Sequence, residues 1–299
     1  MIRSLLMLAF AAGSALGATD EAASTFHFPS LYHVGFWVRD IAKARAFYHD
    51  YLGFEEPYAL NYPDGKLQMV VMKVNERQVI YLFTDATKIL PNGDNLDHLG
   101  LETDNVAAVR EYLLARGAKV GEVHRGRIGD LLLGVKDPDG HSFEITQFAP
   151  EGQLLQHQGQ NLPATRVSGH LRSATLTVAD LAASLKFYVD LLGFKKIAGG
   201  GDAGSAAGAV RVQVPDGTDY LELAPTEQKP GAAPARAVPE FCLEVADPAK
   251  TNALLAPRAK ATGFSPPVAL SAAAIGVRQA SCIDPDGTRV VLQEAAARP

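Results

Sequence analysis

Cysteine is scarce in this 299-residue chain: only Cys242 and Cys282 are present. Two thiols cannot build a disulfide framework, so the fold must rest on an ordinary apolar core. Both lie in one apparent sheet module, on strands expected to be two apart. At about 4.8 Å per strand that puts them roughly 10 Å from one another, beyond bridging distance. Basic runs are also missing, and the formal charge is −5. A mildly acidic chain without them argues against nucleic acid or an anionic membrane as partner. No apolar stretch reaches the roughly 20 residues of a membrane-spanning helix. The best candidate, Met1 to Gly17, is cut short by Asp20 and Glu21. Its order of Arg3, apolar Leu5 to Ala12 and small-residue Ala15-Leu16-Gly17 is that of a secretory signal. Export is therefore expected, to the periplasm or outside, with no membrane attachment after cleavage. Loss of Arg3 takes the charge to −6 (−5 − 1).

What is present is organised around Asp137-Pro-Asp-Gly-His-Ser-Phe-Glu-Ile-Thr-Gln-Phe148. Asp-Pro-Asp-Gly reads as a turn, with Pro presetting φ and Gly taking positive φ. The alternation behind it reads as a strand. Glu144 lies on one face of that strand with no Lys or Arg beside it. A carboxylate pointing inward needs a partner, since burying an unpaired charge costs several kcal/mol.

Internal repetition sets the architecture. Leu31 to Asp40 reads as a strand ending in a helix N-cap, and Ile41 to Tyr51 as an amphipathic helix containing Phe47 and Tyr48. Leu52-Gly53-Phe54 closes it, with Gly53 at the C-cap. The same order returns at Leu171 to Asp180, Phe187-Tyr188 and Leu192-Gly193-Phe194, at a constant offset of 140 (180 − 40, 187 − 47, 192 − 52). A second unit follows each first one: Leu96 to Thr103, a helix over Asn105 to Arg116 ending at Gly117, then strands to Glu144. Its copy runs from Val238 to Asp284-Pro-Asp-Gly287, through a weaker helix expected to break at Pro257. The expected fold is α+β: four βαβββ modules paired into two open β-barrels with helices outside. Domains over 30–150 and 166–297 would be joined by a Gln/Gly/Pro-rich linker at 151–165. Gly199 to Gly208 and Lys229 to Pro239 read as flexible loops.

This arrangement puts His33, His98 and Glu144 inward on facing strands. Each histidine alone reads as a core residue; together with the carboxylate they form a two-histidine, one-carboxylate metal site with open positions. The chain resembles the vicinal oxygen chelate superfamily, which includes glyoxalase I, extradiol dioxygenases, methylmalonyl-CoA epimerase, and fosfomycin- and bleomycin-resistance proteins. The resemblance is carried by His33 in YHVGFWV, Phe47-Tyr48, Leu52-Gly53-Phe54, His98 in LDHLGLE, and Asp137-Pro-Asp-Gly140 leading to Glu144. It implies a divalent metal on His33, His98 and Glu144. Glyoxalase I and the epimerase place a second carboxylate on the last strand of the first module, where this chain has Tyr81, a poor metal ligand at neutral pH. Three ligands remain, as in extradiol dioxygenases, a set that suits Fe(II) and that Mn(II) or Zn(II) also fits.

Two departures weaken the dioxygenase resemblance. Gly134 stands where those enzymes have a tyrosine, and His124 matches their second histidine only with one residue of slippage. His124 and Tyr81 are the candidate acid–base pair, against a solvated-loop reading of His124. His141 reads as structural or at the rim. Arg125 and Arg127 could meet an anionic substrate, although loop arginines are more often solvated. In the second half, Ser173, Glu240, Val291 and Glu222 replace His33, His98, Glu144 and Tyr81, so no site is expected there. The metal ligands meet only if the first module pairs with the second. Three functions follow for a small-molecule partner: ring cleavage of a vicinal-diol aromatic with dioxygen; an isomerase, epimerase or transferase working through an enolate or alkoxide; or sequestration without turnover. A homodimer is compatible with all three.

Overall fold

The computed structural model describes residues 26–198, 208–226, 238–270 and 277–295. The signal-like Met1 to Gly17 and most of the Gly/Pro-rich loops at Gly199 to Gly208 and Lys229 to Pro239 lie outside the described residues. Four modules follow in order. The first is β1 (Leu31–Trp37), α1 (Ile41–Arg45) with a π-helical turn (Ala46–Tyr51), β2 (Ala59–Asn61), β3 (Leu67–Lys73) and β4 (Val79–Phe83). The second is β5 (Leu96–Glu102), α2 (Val106–Ala115), β6 (His124–Arg125), β7 (Leu131–Lys136) and β8 (Ser142–Gln147). After α3 (Gln153–Gln156), the third is β9 (Leu171–Val178), α4 (Leu181–Leu185) with a π-helical turn (Lys186–Leu191), β10 (Lys195–Ile197), β11 (Val210–Gln213) and β12 (Tyr220–Pro225). The fourth is β13 (Glu240–Val245), α5 (Pro248–Thr262), β14 (Val268–Leu270), β15 (Gln279–Ile283) and β16 (Arg289–Glu294).

Modules pair first with second and third with fourth. The strand orders are β2-β3-β4-β1-β5-β8-β7-β6 and β10-β11-β12-β9-β13-β16-β15-β14. In each sheet the two opening strands run antiparallel at the centre. One apolar core fills the helix side of both sheets, with Phe36, Phe47, Tyr48, Leu101, Phe143, Tyr188 and Phe241 in it. A second core lines the inside of the first sheet, with Tyr32, Met69, Val71, Tyr81 and Phe83.

The helices follow their local signals with one exception. Asp40 and Asp180 cap α1 and α4 by accepting from the second and third amide nitrogens beyond them. Asn105 caps α2 through Ala108 N. Gly53, Gly117 and Gly193 end their helices with φ of 83°, 77° and 76°, values that favour glycine. The π-helical turn lets Phe47, Tyr48 and Tyr51 all face the core. The exception is α5, which runs straight through Pro257. The expected break does not occur: Leu255 and Ala259 on either side are buried, and their packing holds the helix despite one missing hydrogen bond. The 151–165 stretch carries the short α3 and is pinned, since buried Lys73 donates to Glu76, His157 O and Gln160 O. Cys242 and Cys282 are free and buried, on strands separated by β16. Burial pushes both thiols up to about 12.

The two halves are locked together by a pseudo-symmetric exchange. Tyr48 donates to Asp284 of the fourth module (3.0 Å), and Tyr188 donates to Asp137 of the second (2.8 Å). Arg39 N and Ala179 N likewise donate to Asp286 and Asp139 at 3.0 and 2.8 Å. Each Asp-Pro-Asp-Gly turn is thus held by the opposite half. Between the sheets, Gln78 bridges Leu31 O and Leu171 O and accepts from Leu171 N.

Candidate metal centre

His33 and His98 face each other across the central strand pair, and glycine makes the space. His33 lies opposite Gly100, and His98 opposite Gly35. A Cβ built on Gly100 would sit 2.3 Å from His33 Nδ1, and one on Gly35 3.2 Å from His98 Nδ1. The His-x-Gly spelling in both strands was a readable signal of this arrangement. Gly100→Ala is therefore expected to push the His33 ring out of place and lower metal occupancy. Metal analysis checks this, with Gly121→Ala, whose added Cβ meets nothing within 4 Å and whose backbone is not left-handed, as a control for general handling.

Each opening strand carries a β-bulge just before its histidine. On β1 the extra residue is Tyr32, because Leu31 pairs with Leu101 but His33 with Gly100. On β5 it is Asp97, because Gly35 pairs with His98 but Phe36 with Leu96. A bulge turns a side chain that would otherwise point away. Asp97 thereby reaches His98 Nδ1 at 2.6 Å, which fixes the tautomer and leaves Nε2 free toward the site. Sequence reasoning missed Asp97, since strict alternation sends it to the opposite face.

Glu144 stands beside Gly100 on β8, half open to solvent at the mouth. Its Oε2 lies 3.9 Å from His33 Nε2 and 3.4 Å from His98 Nε2. The three ligand atoms all fall within 4.8 Å of one another. Ligands at right angles around an ion with bonds of about 2.1 Å are about 3 Å apart, so the trio needs only a small contraction to close on one. Both nitrogens of fully buried His33, and Nε2 of His98, lack any hydrogen-bond partner. Orphaned buried nitrogens are costly, and two Nε2 atoms turned toward one carboxylate are what an ion-binding set presents.

Electrostatics separate the two imidazoles. Burial, reinforced by His98, drives His33 well below its ordinary value, so it is a neutral ligand in waiting. Burial also lowers His98, but its hydrogen bond to Asp97 and the Glu144 carboxylate 3.4 Å away outweigh it and push this group up to about 9.

Tyr81 lies against His33 with ring centroids 4.4 Å apart, and its hydroxyl shares a 2.6 Å hydrogen bond with that of Tyr32. Burial, with Tyr32 and Tyr58 nearby, raises its pKa well above the ordinary phenol value. The phenol therefore stays protonated. His124 is exposed on edge strand β6, its Nδ1 3.3 Å from Glu122 O. It shares a cavity of about 250 Å³ with His98, Glu144, Tyr81, Arg125 and Arg127. Arg125 bonds Gly129 O and Glu151, and Arg127 bonds Asn61 O, so both are tied to the protein. His141 bonds Asp137 at 2.8 Å and lines neither this cavity nor the larger one of about 1000 Å³. That larger cavity opens from His98 and Glu144 past Trp37, Phe83 and Gly134.

The second half keeps the ladder and fills the site. Ser173 pairs with Cys242, Thr175 with Glu240, and Cys242 with Val291, at the register of the first half. Arg211 and Glu222 form a buried ion pair at 2.9 Å in that space, and Glu240 contacts Arg289 and Thr175. Only about 20 Å³ remains open.

A family model described as the Glyoxalase/Bleomycin resistance protein/Dioxygenase superfamily matches residues 30–145 and 169–292. The chain belongs to this superfamily. Among solved structures, a Mn(II)-bound glyoxalase from Novosphingobium aromaticivorans is similar with a TM-score of 0.64 at 18% identity, covering 90% of this chain and 83% of that one. A catechol 2,3-dioxygenase gives a TM-score of 0.62 at 16% identity, covering 91% and 90%. A curated relative, the lactoylglutathione lyase GLX1 of Arabidopsis thaliana, is 25% identical over 171 residues, 54% of each chain. The match thus spans about half the length of that relative. At these identities the structural likeness establishes a shared fold, and this superfamily fold carries several chemistries.

Proposed function

We propose that the protein is a divalent-metal enzyme acting on small molecules with two adjacent oxygens, and that its reaction is extradiol-type ring cleavage of an aromatic diol. The observation that carries this reading is the convergence of His33, His98 and Glu144, with three buried imidazole nitrogens left without partners. His33, His98 and Glu144 would hold the ion, and Tyr81, where a fourth carboxylate would stand, would leave it open to substrate. Fe(II) is the expected ion, and Mn(II) or Zn(II) fits the same donors. When bound, the metal would supply Lewis-acid and redox chemistry.

The chain's own groups have definite tasks in this reading. Asp97 holds His98 through Nδ1. Tyr81 keeps its proton and can donate toward a substrate oxygen. His124, at the rim of the smaller cavity, would be placed to take a proton from a diol hydroxyl. Trp37 and Phe83 form an apolar wall for the ring.

A second reading, an isomerase acting through an enolate, is favoured by the likeness to a Mn(II)-bound glyoxalase and a lactoylglutathione lyase. Oxygen uptake separates the two. Protein purified without oxygen and loaded with Fe(II) should consume dioxygen in step with loss of a catechol, and lose activity on air oxidation. A flat oxygen trace over a panel of catechols would transfer the assignment to the isomerase class. The signal-like Met1 to Gly17 supports an exported protein, which fractionation of the native host would test.

A further inference from the structure

We propose that the substrate carries an anionic group, held by Lys136, on the side of the ring away from the metal ligands. This rests on the vicinal-oxygen reading above and names the substrate class for the same site.

The larger cavity has charged walls of unequal availability. Its carboxylates are already engaged. Asp97 bonds His98; Asp137 accepts from His141, Tyr188 and two backbone amides; Glu144 belongs to the metal set. Its two lysines, Lys119 and Lys136, make no hydrogen bond or ion pair among the described residues. A ligand entering therefore meets two uncommitted positive charges and no uncommitted negative one.

The ladder places one of these lysines on the site's own face. Lys136 pairs with Ser142, which pairs with His98. Two strand spacings of about 4.8 Å set its Cα roughly 10 Å from that of His98. In the next row inward, Gly134 pairs with Glu144, and a Cβ there would meet nothing within 4 Å. The floor between the metal ligands and Lys136 is therefore bare, which leaves room for a ring to lie flat. Gln68, shared by both cavities, has a buried side-chain oxygen with no partner. A hydroxyl of the diol would give that acceptor a donor.

The test uses three ring compounds with the same diol: 3,4-dihydroxybenzoate (anionic), 4-methylcatechol (neutral) and 4-(aminomethyl)catechol (cationic). Binding to the metal-loaded full chain is read by quenching of Trp37, the single tryptophan, which lines the cavity, and by calorimetry. The anionic diol should bind about tenfold tighter than the neutral one, with the cationic one weakest. Lys136→Gln should collapse the anionic-to-neutral ratio toward one, a quantity that cancels any general damage to the protein. Gln68→Leu should instead weaken all three by a similar factor. Equal binding of anionic and neutral diols, or a ratio that survives Lys136→Gln, would overturn the subsite and leave the vicinal-oxygen reading standing. Failure of all three to bind would remove both.

Discussion

Replacing His33 with leucine should abolish metal binding and, without metal, make the protein more stable. The imidazole is fully buried, and neither nitrogen has a partner. An unsatisfied buried polar group costs about 1–3 kcal/mol, and an apolar group of similar shape removes that cost. Melting of metal-free protein should rise by about 2–4 °C per kcal/mol recovered, the usual conversion for chains of 150–250 residues. Metal affinity should fall at least a hundredfold, the upper range for losing an outer partner of a ligand. Saturating metal should then reverse the order, because an ion at 100 times its Kd stabilises the wild type by about 2.7 kcal/mol. Calorimetry with and without metal gives both curves. If His33→Leu melts lower than the wild type in each, the imidazole is structural and the metal reading fails.

The second large effect is on pH. In the metal-free state His98 carries a proton up to about pH 9, whereas His33 is already neutral. An ion binding Nε2 of His98 must displace that proton. Apparent affinity should thus climb about tenfold per pH unit from pH 6 toward 9 and level off above, with one proton released per ion. The sign is set by His98: its raised pKa strengthens the proton as a competitor at low pH. Asp97→Asn removes the leading cause of the rise. The plateau should begin at lower pH, while affinity on the plateau drops by about 10–100-fold as His98 loses its orienting partner. Metal titrations in unbuffered and buffered solution, read for proton release, check both. Affinity independent of pH between 6 and 9 would show that His98 is not a ligand.

The architecture was legible because the chain states it twice. An offset of 140 links Phe47-Tyr48 to Phe187-Tyr188 and His33 to Ser173, and in the second unit of each half His98 was matched with Glu240, 142 residues on (240 − 98). The ladders place those pairs at equivalent rungs. The convergence of His33, His98 and Glu144 followed from that alignment together with first-with-second pairing. What remained hidden had physical causes. A bulge has no residue signature of its own, so nothing in the sequence marked Asp97 as a partner of His98. Pro257 signalled a break that the packing of Leu255 and Ala259 overrides. Gln68 and Lys136 gained meaning only once the cavity showed which polar groups lack partners. Asp137 and Asp284 were read as turn formers, and their tyrosine partners from the other half are too distant in sequence to be foreseen.

Those tyrosine–aspartate clasps bear on what the silent half contributes. Each Asp-Pro-Asp-Gly hairpin introduces the strand that carries Glu144, or its counterpart Val291, and each is steadied from across the molecule. Excising the C-terminal half would strip Asp137 of Tyr188, expose the face of Phe143 that packs on it, and let the Glu144 carboxylate drift. On the proposed reading, the C-terminal half, which keeps the ladder without the ligands, serves as the jig on which the metal set of the first half is aligned.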